Sequence, residues 1–164
     1  MQSGAPSRGD DAEPPSGEPV EPAATPGELQ LVVIASATQV AAGEIVTVDV
    51  MASASTSVVD APLHLMFDPT VIAYVDGAPG DFLAQGGSSV VFLADGLSRP
   101  GEVAIAVGRV GREQGASGSG LLCRLRFRGA GAGTSAVSVG QAKAWDGAGE
   151  LLTVRSAGTA VVVR

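Results

Sequence analysis

Apolar and polar residues alternate with a period of two in short segments along most of the chain after residue 28. The segment 44–52, EIVTVDVMA, shows this pattern most clearly. The two faces of an extended strand then hold Val46, Val48 and Val50 on one side and Thr47, Asp49 and Met51 on the other. An amphipathic helix would instead need apolar residues every three or four positions. The alternation therefore predicts an all-β protein whose strands bury one face.

Turn signals rich in Gly, Pro and Asp separate the alternating segments. They are Asp68-Pro69, Asp76-Gly77, Asp95-Gly96, Pro100-Gly101, Gly129 to Gly133 and Asp146-Gly147. Between them we predict roughly nine or ten strands, at 29–37, 44–52, 61–67, 89–94, 102–109, 121–128, 134–139, 142–145, 150–154 and 158–164, with a further short one at 71–75. This spacing indicates two sheets packed face to face as a sandwich. No helix is predicted beyond a single turn over 80–86.

The first 28 residues differ from the rest in composition. They hold six of the ten prolines, and their six acidic residues and Arg8 give −5 of the total charge of −7. Such a segment lacks the apolar side chains that would offset the entropy of ordering. We therefore expect a disordered linker over 1–28 and one folded domain over 29–164. The domain keeps a charge of only −2, without the clustered Lys and Arg that nucleic-acid binding requires.

The sequence was searched for an export signal, a membrane-spanning segment and a disulfide. No apolar run follows Met1, so a signal for export would lie outside this chain. No stretch reaches the ~18–20 apolar residues of a membrane helix. The single cysteine, Cys123, cannot form an internal disulfide. Because it alternates with Leu125 and Phe127, it is predicted to be a small buried side chain.

His64 is the only histidine and hence the candidate for general-base catalysis. The alternation of 61–67 places it opposite Leu63 and Leu65, beside Met66. No serine stands in the glycine pattern of a nucleophile elbow. Aromatic residues make up only 4% of the chain, which does not suit the sugar-stacking site of a glycosidase. The sequence therefore predicts a protein that is not an enzyme.

Metal binding has one open alternative. Zinc would need paired Cys and His, of which the chain has one each. Calcium uses loop carboxylates, and the aspartates in predicted loops are Asp60, Asp68, Asp76, Asp81 and Asp95. The residues after Asp76 do not follow an EF-hand pattern. Aspartates also form turns by accepting backbone N–H bonds. We adopt that interpretation and expect no cofactor.

Three further features have a structural and a functional interpretation. Arg124, Arg126 and Arg128 share one strand face, either as a site for an acidic partner or as a solvated face that discourages edge pairing. The second is the expectation here. The glycines of 115–120 precede a strand rather than a helix, and those of 129–135 lack the lysine of a phosphate-binding loop. Both clusters are predicted to be turns.

The order of these segments resembles that of bacterial cohesin domains. LHLMFDPTVI (63–72) is similar to the strand and Tyr-Asp-Pro turn of that family, with Phe67 in the tyrosine position, and GDFL follows at 80–83. The family's glycine-led strands and final hairpin match GEVAIAVGR (101–109), SGSGLLCRLRFRGAGAGTS (117–135) and DGAGELLTV (146–154). The resemblance covers residues 29–164. It implies a nine-stranded jelly-roll sandwich that binds proteins and has no catalytic activity.

The resemblance also implies a partner and a binding face. Cellulosomal cohesins bind dockerin modules through one exposed sheet, which maps here onto Pro62, His64, Met66, Val91, Leu93, Ala104, Ala106, Ala136 and Ser138. Small or apolar residues replace most of the family's polar ones, which favours a different protein partner over dockerin. The segments look most like cohesin-like domains attached by Pro-rich linkers to secretin-type secretion proteins. That setting implies an extracytoplasmic location, whether periplasmic, outer-membrane-associated or secreted, and a dockerin-like module or a secretion-system component as partner.

Two alternatives belong to other functional classes. Carbohydrate-binding modules share the jelly-roll architecture, so a polysaccharide is the alternative ligand. That function would need Trp145, Tyr74 or Phe82 exposed as a stacking platform. A structural spacer would bind no saturable ligand at all.

Overall fold

A computed structural model of the protein describes residues 27–110 and 115–164. Most of the predicted linker, residues 1–26, lies outside the described residues. The described strands are β1 (Glu28–Ala35), β2 (Gln39–Val40), β3 (Ile45–Val58), β4 (Leu63–Met66), β5 (Ile72–Pro79), β6 (Val90–Asp95), β7 (Glu102–Arg109), β8 (Ala116–Gly129), β9 (Gly133–Ala142), β10 (Thr153–Ala157) and β11 (Thr159–Val163). Between β5 and β6 lies a 3-10 turn at Gln85–Gly87, within the single turn predicted over 80–86 apart from its last residue. The all-β fold is confirmed.

The strands form two sheets. One has five strands in the order β10-β1-β3-β8-β5, and the other has six in the order β2-β11-β9-β4-β7-β6. The two 14-residue strands β3 and β8 pair antiparallel inside the five-stranded sheet. The predicted sandwich is confirmed, although the described residues hold eleven strands rather than nine. One reason is that β2 has only two residues, too few for alternation to reveal it.

Side chains from the inward faces of both sheets form the core. Val46, Val48 and Val50 of β3 are fully buried, as the alternation predicts. The ring of Phe127 packs edge-on against Phe67 and Tyr74, with ring centroids 5.0 and 5.8 Å away. Edge-to-face aromatic pairs stabilise a core beyond the burial of their area. The chain has few aromatic residues, and three of them meet at this point.

β8 is longer than predicted, because it begins at Ala116 and includes most of the glycine cluster 115–120. The prediction of a turn there is wrong. β3 continues to Val58 and supplies backbone partners for Gly118, Ser119 and Gly120. A strand can contain glycine when a neighbouring strand provides the hydrogen bonds, and Gly118 at φ +83° accompanies the irregular register at that end. The partner strand, which lies far away in sequence, therefore sets the length of β8.

The predicted turn at Asp76-Gly77 is also wrong, because both residues lie within β5. β5 pairs with β8 through a register shift between Tyr74 and Asp76, which is a β-bulge. The bulge directs the Asp76 carboxylate towards Arg126, with which it forms a two-point ion pair. Asp76, which the sequence predicted to be a turn residue, is therefore part of a strand.

The three arginines of β8 lie on the outward face of the five-stranded sheet, as predicted. Arg124 donates to Asp49 of β3 through Nε at 2.7 Å and Nη2 at 2.9 Å, and Arg126 pairs with Asp76 of β5. β8 lies between β3 and β5. The row therefore cannot discourage edge pairing, and that part of the expectation is wrong. Two of its charges are neutralised within the sheet, which leaves little attraction for an acidic partner.

The strands predicted at 142–145 and 150–154 differ from those observed. β9 ends at Ala142, Trp145 forms isolated bridges to Asp60 and Leu151, and β10 begins only at Thr153. Asp146 Oδ1 accepts the N–H groups of Ala148 and Glu150 at 2.9 and 2.8 Å. The turn at Asp146-Gly147 is confirmed, and it returns the chain towards β10.

Cys123 is fully buried in β8, as predicted. Burial, together with the negative charge of Asp49, raises the pKa of its thiol to about 12. Because the thiolate is the reactive form, we expect Cys123 to react with a disulfide reagent at about pH 8 roughly a thousandfold or more slowly in the folded protein than in concentrated guanidinium chloride. A Ser119→Cys variant, which adds an exposed thiol to the same strand, is the positive control. Equal rates for the two thiols would contradict the burial of Cys123.

Candidate interaction surface

The outward side chains of β9, β4, β7 and β6 in the six-stranded sheet form a continuous surface, called here the outer face. Strand register brings together residues that are distant in sequence: His64 lies opposite Ala104, Met66 opposite Ser138, and Leu93 opposite Ala106. Of the residues that sequence assigned to the partner-binding face, His64, Met66, Val91, Leu93, Ala104, Ala106, Ala136 and Ser138 lie on it, and Pro62 immediately precedes β4 and lines the groove beside Val91. Their role in binding stays a prediction.

Large apolar side chains are exposed at two places on the outer face. On β6, Leu93 is 67% and Val91 54% exposed, and on β4, at the Glu102 end of β7, Met66 is 38% exposed. Beside them, Ala104, Ala106 and Ala136 leave the sheet surface low and flat. Exposed apolar side chains that adjoin one another, as Val91 and Leu93 do, are more typical of an interaction surface than scattered ones. The surface is suited to another apolar surface rather than to a small polar ligand.

A groove of about 250 Å³ lies next to Val91, lined also by Asp60, Pro62, Ala106, Gly108 and Trp145. Asp60 pairs through its backbone with both Gly108 and Trp145. The carboxylate of Asp60 lies directly over the Cα atom of Gly108, in the space that any larger side chain at 108 would fill. This contact explains the glycine at the end of an otherwise regular strand. Half-buried Trp145 forms the far wall of the groove.

His64 is held by a neighbour that sequence reasoning missed. Its Nδ1 atom is hydrogen-bonded to Oε2 of Glu102, and the two side chains are 36% and 14% exposed. Arg99 Nη1 approaches the other oxygen of Glu102 at 3.8 Å. Glu102 alternates with Ala104 and Ala106 along β7, so extending the predicted row by two residues would have found it. Gly108 continues the same row at the other end.

The surroundings of His64 contain no hydrolytic arrangement among the described residues. The nearby serine, Ser98, donates its hydroxyl to Asp95 Oδ2 at 2.5 Å rather than to the histidine. A catalytic serine needs its hydroxyl hydrogen-bonded to the base. His64 and Glu102 therefore form a polar pair within a protein surface.

The three aromatic residues considered for sugar stacking lie apart from one another. Phe82 is 1% exposed and belongs to the core. Half-buried Tyr74 has its ring edge-on to Phe127. Only Trp145 lines a surface groove. Sugar-binding surfaces present open aromatic faces, and two of the three candidates cannot provide one.

The aspartates considered as calcium ligands mostly bond to the backbone or to arginine. Asp68 Oδ1 accepts the N–H and hydroxyl of Thr70 at 2.9 and 2.7 Å, and these bonds lower the pKa of the Asp68 carboxyl. In the same way, Asp95 accepts from the Ser98 hydroxyl and from the backbone N–H groups of Leu97 and Ser98, and these bonds lower the pKa of its carboxyl. These two residues are turn formers, as predicted. Within residues 27–110 and 115–164, no three His, Cys, Asp or Glu side chains converge as a metal site.

The part of the chain that the structure describes contains no helix long and apolar enough to cross a bilayer.

A protein-family profile described as "Cohesin domain" matches residues 31–161. No curated protein sequence matches the chain significantly.

Several solved structures are similar over most of their length. A non-cellulosomal cohesin from the archaeon Archaeoglobus fulgidus is 17% identical with a TM-score of 0.66, over 84% of this chain and 91% of that one. A type II cohesin domain from the cellulosome of Acetivibrio cellulolyticus is 15% identical with a TM-score of 0.71, over 82% and 95%. The sixth cohesin of scaffoldin B from Acetivibrio cellulolyticus, solved in complex with a variant of the Cel5 dockerin, is 17% identical with a TM-score of 0.69, over 84% and 99%. At these identities the likeness shows a shared fold.

Proposed function

Because the chain belongs to the cohesin family, we propose that it binds a protein partner through the outer face. Cohesin domains are non-catalytic modules that mediate protein–protein interaction. The observation that carries the proposal is the neighbouring pair of exposed Val91 and Leu93 beside the groove, with exposed Met66 further along the same face, on the sheet that the cohesin resemblance maps to dockerin binding. Exposed apolar residues in a cluster are typical of interfaces.

The chemistry of the outer face constrains the partner. The polar groups at its centre, His64 and Glu102, already bond to each other. The free contact area is then mainly apolar side chains and small residues, with the groove beside Trp145. We infer a dockerin-like module or a secretion-system component whose contact surface is apolar, with a large side chain for the groove.

We further propose that the domain works outside the cytoplasm, in a bacterial secretion apparatus. Cohesins are typically extracellular or surface-associated. The Pro-rich, acidic composition of residues 1–26 supports this setting, because segments of that composition commonly join a binding module to a larger protein.

Partner binding is tested with the full chain as it stands. The immobilised chain is exposed to envelope and secreted fractions of the source cells, and retained proteins are identified by mass spectrometry. Each is then purified and titrated calorimetrically, alongside a panel of dockerin modules. We expect one protein to bind saturably with 1:1 stoichiometry per domain. In parallel, affinity electrophoresis in gels containing polysaccharides tests the alternative ligand. The proposal is overturned if a polysaccharide retards the chain and no protein binds it saturably. It is also overturned if neither a protein nor a polysaccharide binds.

A further inference from the structure

Among residues 27–110 and 115–164, the sheets of the sandwich end in four edge strands: β10 and β5 in one sheet, and β2 and β6 in the other. An edge strand presents unpaired backbone groups that can pair with another chain, and proteins usually protect such edges with charge, proline, bulges or short length. β2 has only two residues. β5 has a bulge after Tyr74 and ends in Pro79. β10 carries Arg155.

β6 has none of these protections along Val90–Ala94. That segment, VVFLA, contains no charge, proline or glycine, and β6 pairs with β7 without a register shift. Its outward side chains, Val91 and Leu93, are more than half exposed. A flat, apolar and unprotected edge is the kind of strand that associates with another strand.

The hydrogen-bond pattern shows which backbone groups of β6 point outwards. Val110 N–H donates to Ser89 C=O at 2.9 Å. Because backbone groups alternate in direction along an antiparallel strand, Ser89, Val91 and Leu93 direct theirs towards β7. The bonds on the opposite side of β7 support this assignment: Val107 and Arg109 bond to the segment before β4, so the residues between them bond to β6. The N–H and C=O groups of the intervening residues therefore point away from the sheet; these residues are Val90, Phe92 and Ala94.

We propose that β6 of a second copy of this chain pairs antiparallel with this edge and forms a twofold symmetric dimer. In the proposed register Phe92 lies opposite Phe92 of the other copy, and Val90 opposite Ala94. Every outward backbone group of the segment then has a partner, for about six hydrogen bonds in all. An interface that uses the same surface on both copies closes as a dimer.

The side chains and charges fit this register. Val91 lies opposite Leu93 of the other copy on the outer face, which gives two apolar cross-strand pairs. The one charged residue of the strand, Asp95, lies opposite Ser89, so no like charges meet. A shift of two residues would put Asp95 opposite Val91, which places a carboxylate against an apolar side chain. Charge and apolar pattern therefore both favour a second copy in this register.

The dimer has a consequence for partner binding. Pairing through β6 joins the two six-stranded sheets into one, so that two outer faces lie side by side. Two linked binding sites increase the overall affinity for a partner with two matching modules. The dimer does not depend on the proposed function, because its hydrogen bonds come from the backbone edge of β6, although Val91 and Leu93 take part in both surfaces.

Sedimentation equilibrium of the full chain tests the dimer. We expect the mass to rise with concentration from 16.2 kDa towards twice that value. An Ala94→Pro variant should stay monomeric, with at least tenfold weaker self-association. The N–H of Ala94 points away from β7, so proline there removes no hydrogen bond within the sheet, and edge strands tolerate it. A Met66→Asp variant, altered on β4, serves as the matched control and should still dimerise.

Amide hydrogen exchange provides a measurement that does not depend on a variant folding. In dilute protein the N–H groups of Val90, Phe92 and Ala94 should exchange much faster than those of Val91, Leu93 and Asp95. In concentrated protein all six should be protected. The proposal is overturned if the wild type keeps its monomer mass at the highest attainable concentration. It is equally overturned if the three outward amides stay unprotected on concentration, or if a folded Ala94→Pro variant dimerises like the wild type.

Discussion

The Met66→Asp, Leu93→Asp double variant is expected to lose partner binding by about a hundredfold or more, while its circular dichroism and melting temperature stay close to those of the wild type. Both side chains project outward and are 38% and 67% exposed, so the folded monomer has little packing to lose. In a complex, each new carboxylate would be buried against an apolar surface, which costs several kcal/mol unless it is paired. Central apolar anchors typically carry most of the binding energy of an interface.

The matched control for this variant lies on the other sheet. Val32 of β1 is 42% exposed on the outward face of the five-stranded sheet and pairs with uncharged residues, so Val32→Asp makes the same chemical change at similar exposure, away from the outer face. Titration calorimetry with the captured partner should give wild-type affinity for Val32→Asp. The single variant Met66→Asp separates loss of partner binding from any effect on the β6 edge, to which Leu93 belongs. If the double variant binds as tightly as the wild type, the partner uses another surface.

The Phe127→Ala variant is expected to lower the free energy of unfolding by about 3–5 kcal/mol, which is the usual range for removing a buried phenylalanine. Phe127 is fully buried in β8, where it packs between Phe67 and Tyr74. Removing its ring leaves a cavity and ends both edge-to-face contacts, which are worth about 0.5–1.5 kcal/mol each beyond area burial. A loss of this size is a large fraction of the stability of a typical domain.

Urea unfolding followed by circular dichroism measures this effect as a change in the transition midpoint at constant slope. Arg128→Ala is the control, because Arg128 is the next residue of the same strand and its side chain is exposed. An exposed substitution of this kind usually changes stability by less than about 0.5 kcal/mol. A loss below 1 kcal/mol for Phe127→Ala would mean that the aromatic cluster does not anchor the sandwich.

The alternation of apolar and polar residues was sufficient to predict which side chains of a strand are buried, because adjacent side chains of a strand point to opposite faces. It correctly placed Val46, Val48 and Val50 inside, and His64 on the side opposite Leu63 and Leu65. The turn chemistry of Asp68 and Asp95 was equally local, since each carboxylate bonds to backbone groups two or three residues away. Such features depend on few neighbours in sequence.

Features that depend on distant partners were missed or misread. Glu102 holds His64 across 38 residues of sequence, and Asp76 became part of a strand because Arg126, 50 residues away, lies opposite it. The groove exists because Asp60 pairs with both Gly108 and Trp145. No local pattern specifies which strands lie side by side.

The sequence by itself thus determined the strand periodicity, the buried face of the strands, the turns at Asp68, Asp95 and Asp146, and the resemblance to cohesins. Only the tertiary structure decided the order of the strands, the ion pairs across them, the groove, and the position of β6 at an unprotected edge. The physical reason is that side-chain direction follows from the backbone of one strand, whereas strand neighbours are selected by the packing of the whole core. A function located on a sheet face or edge therefore becomes visible only when that packing is known.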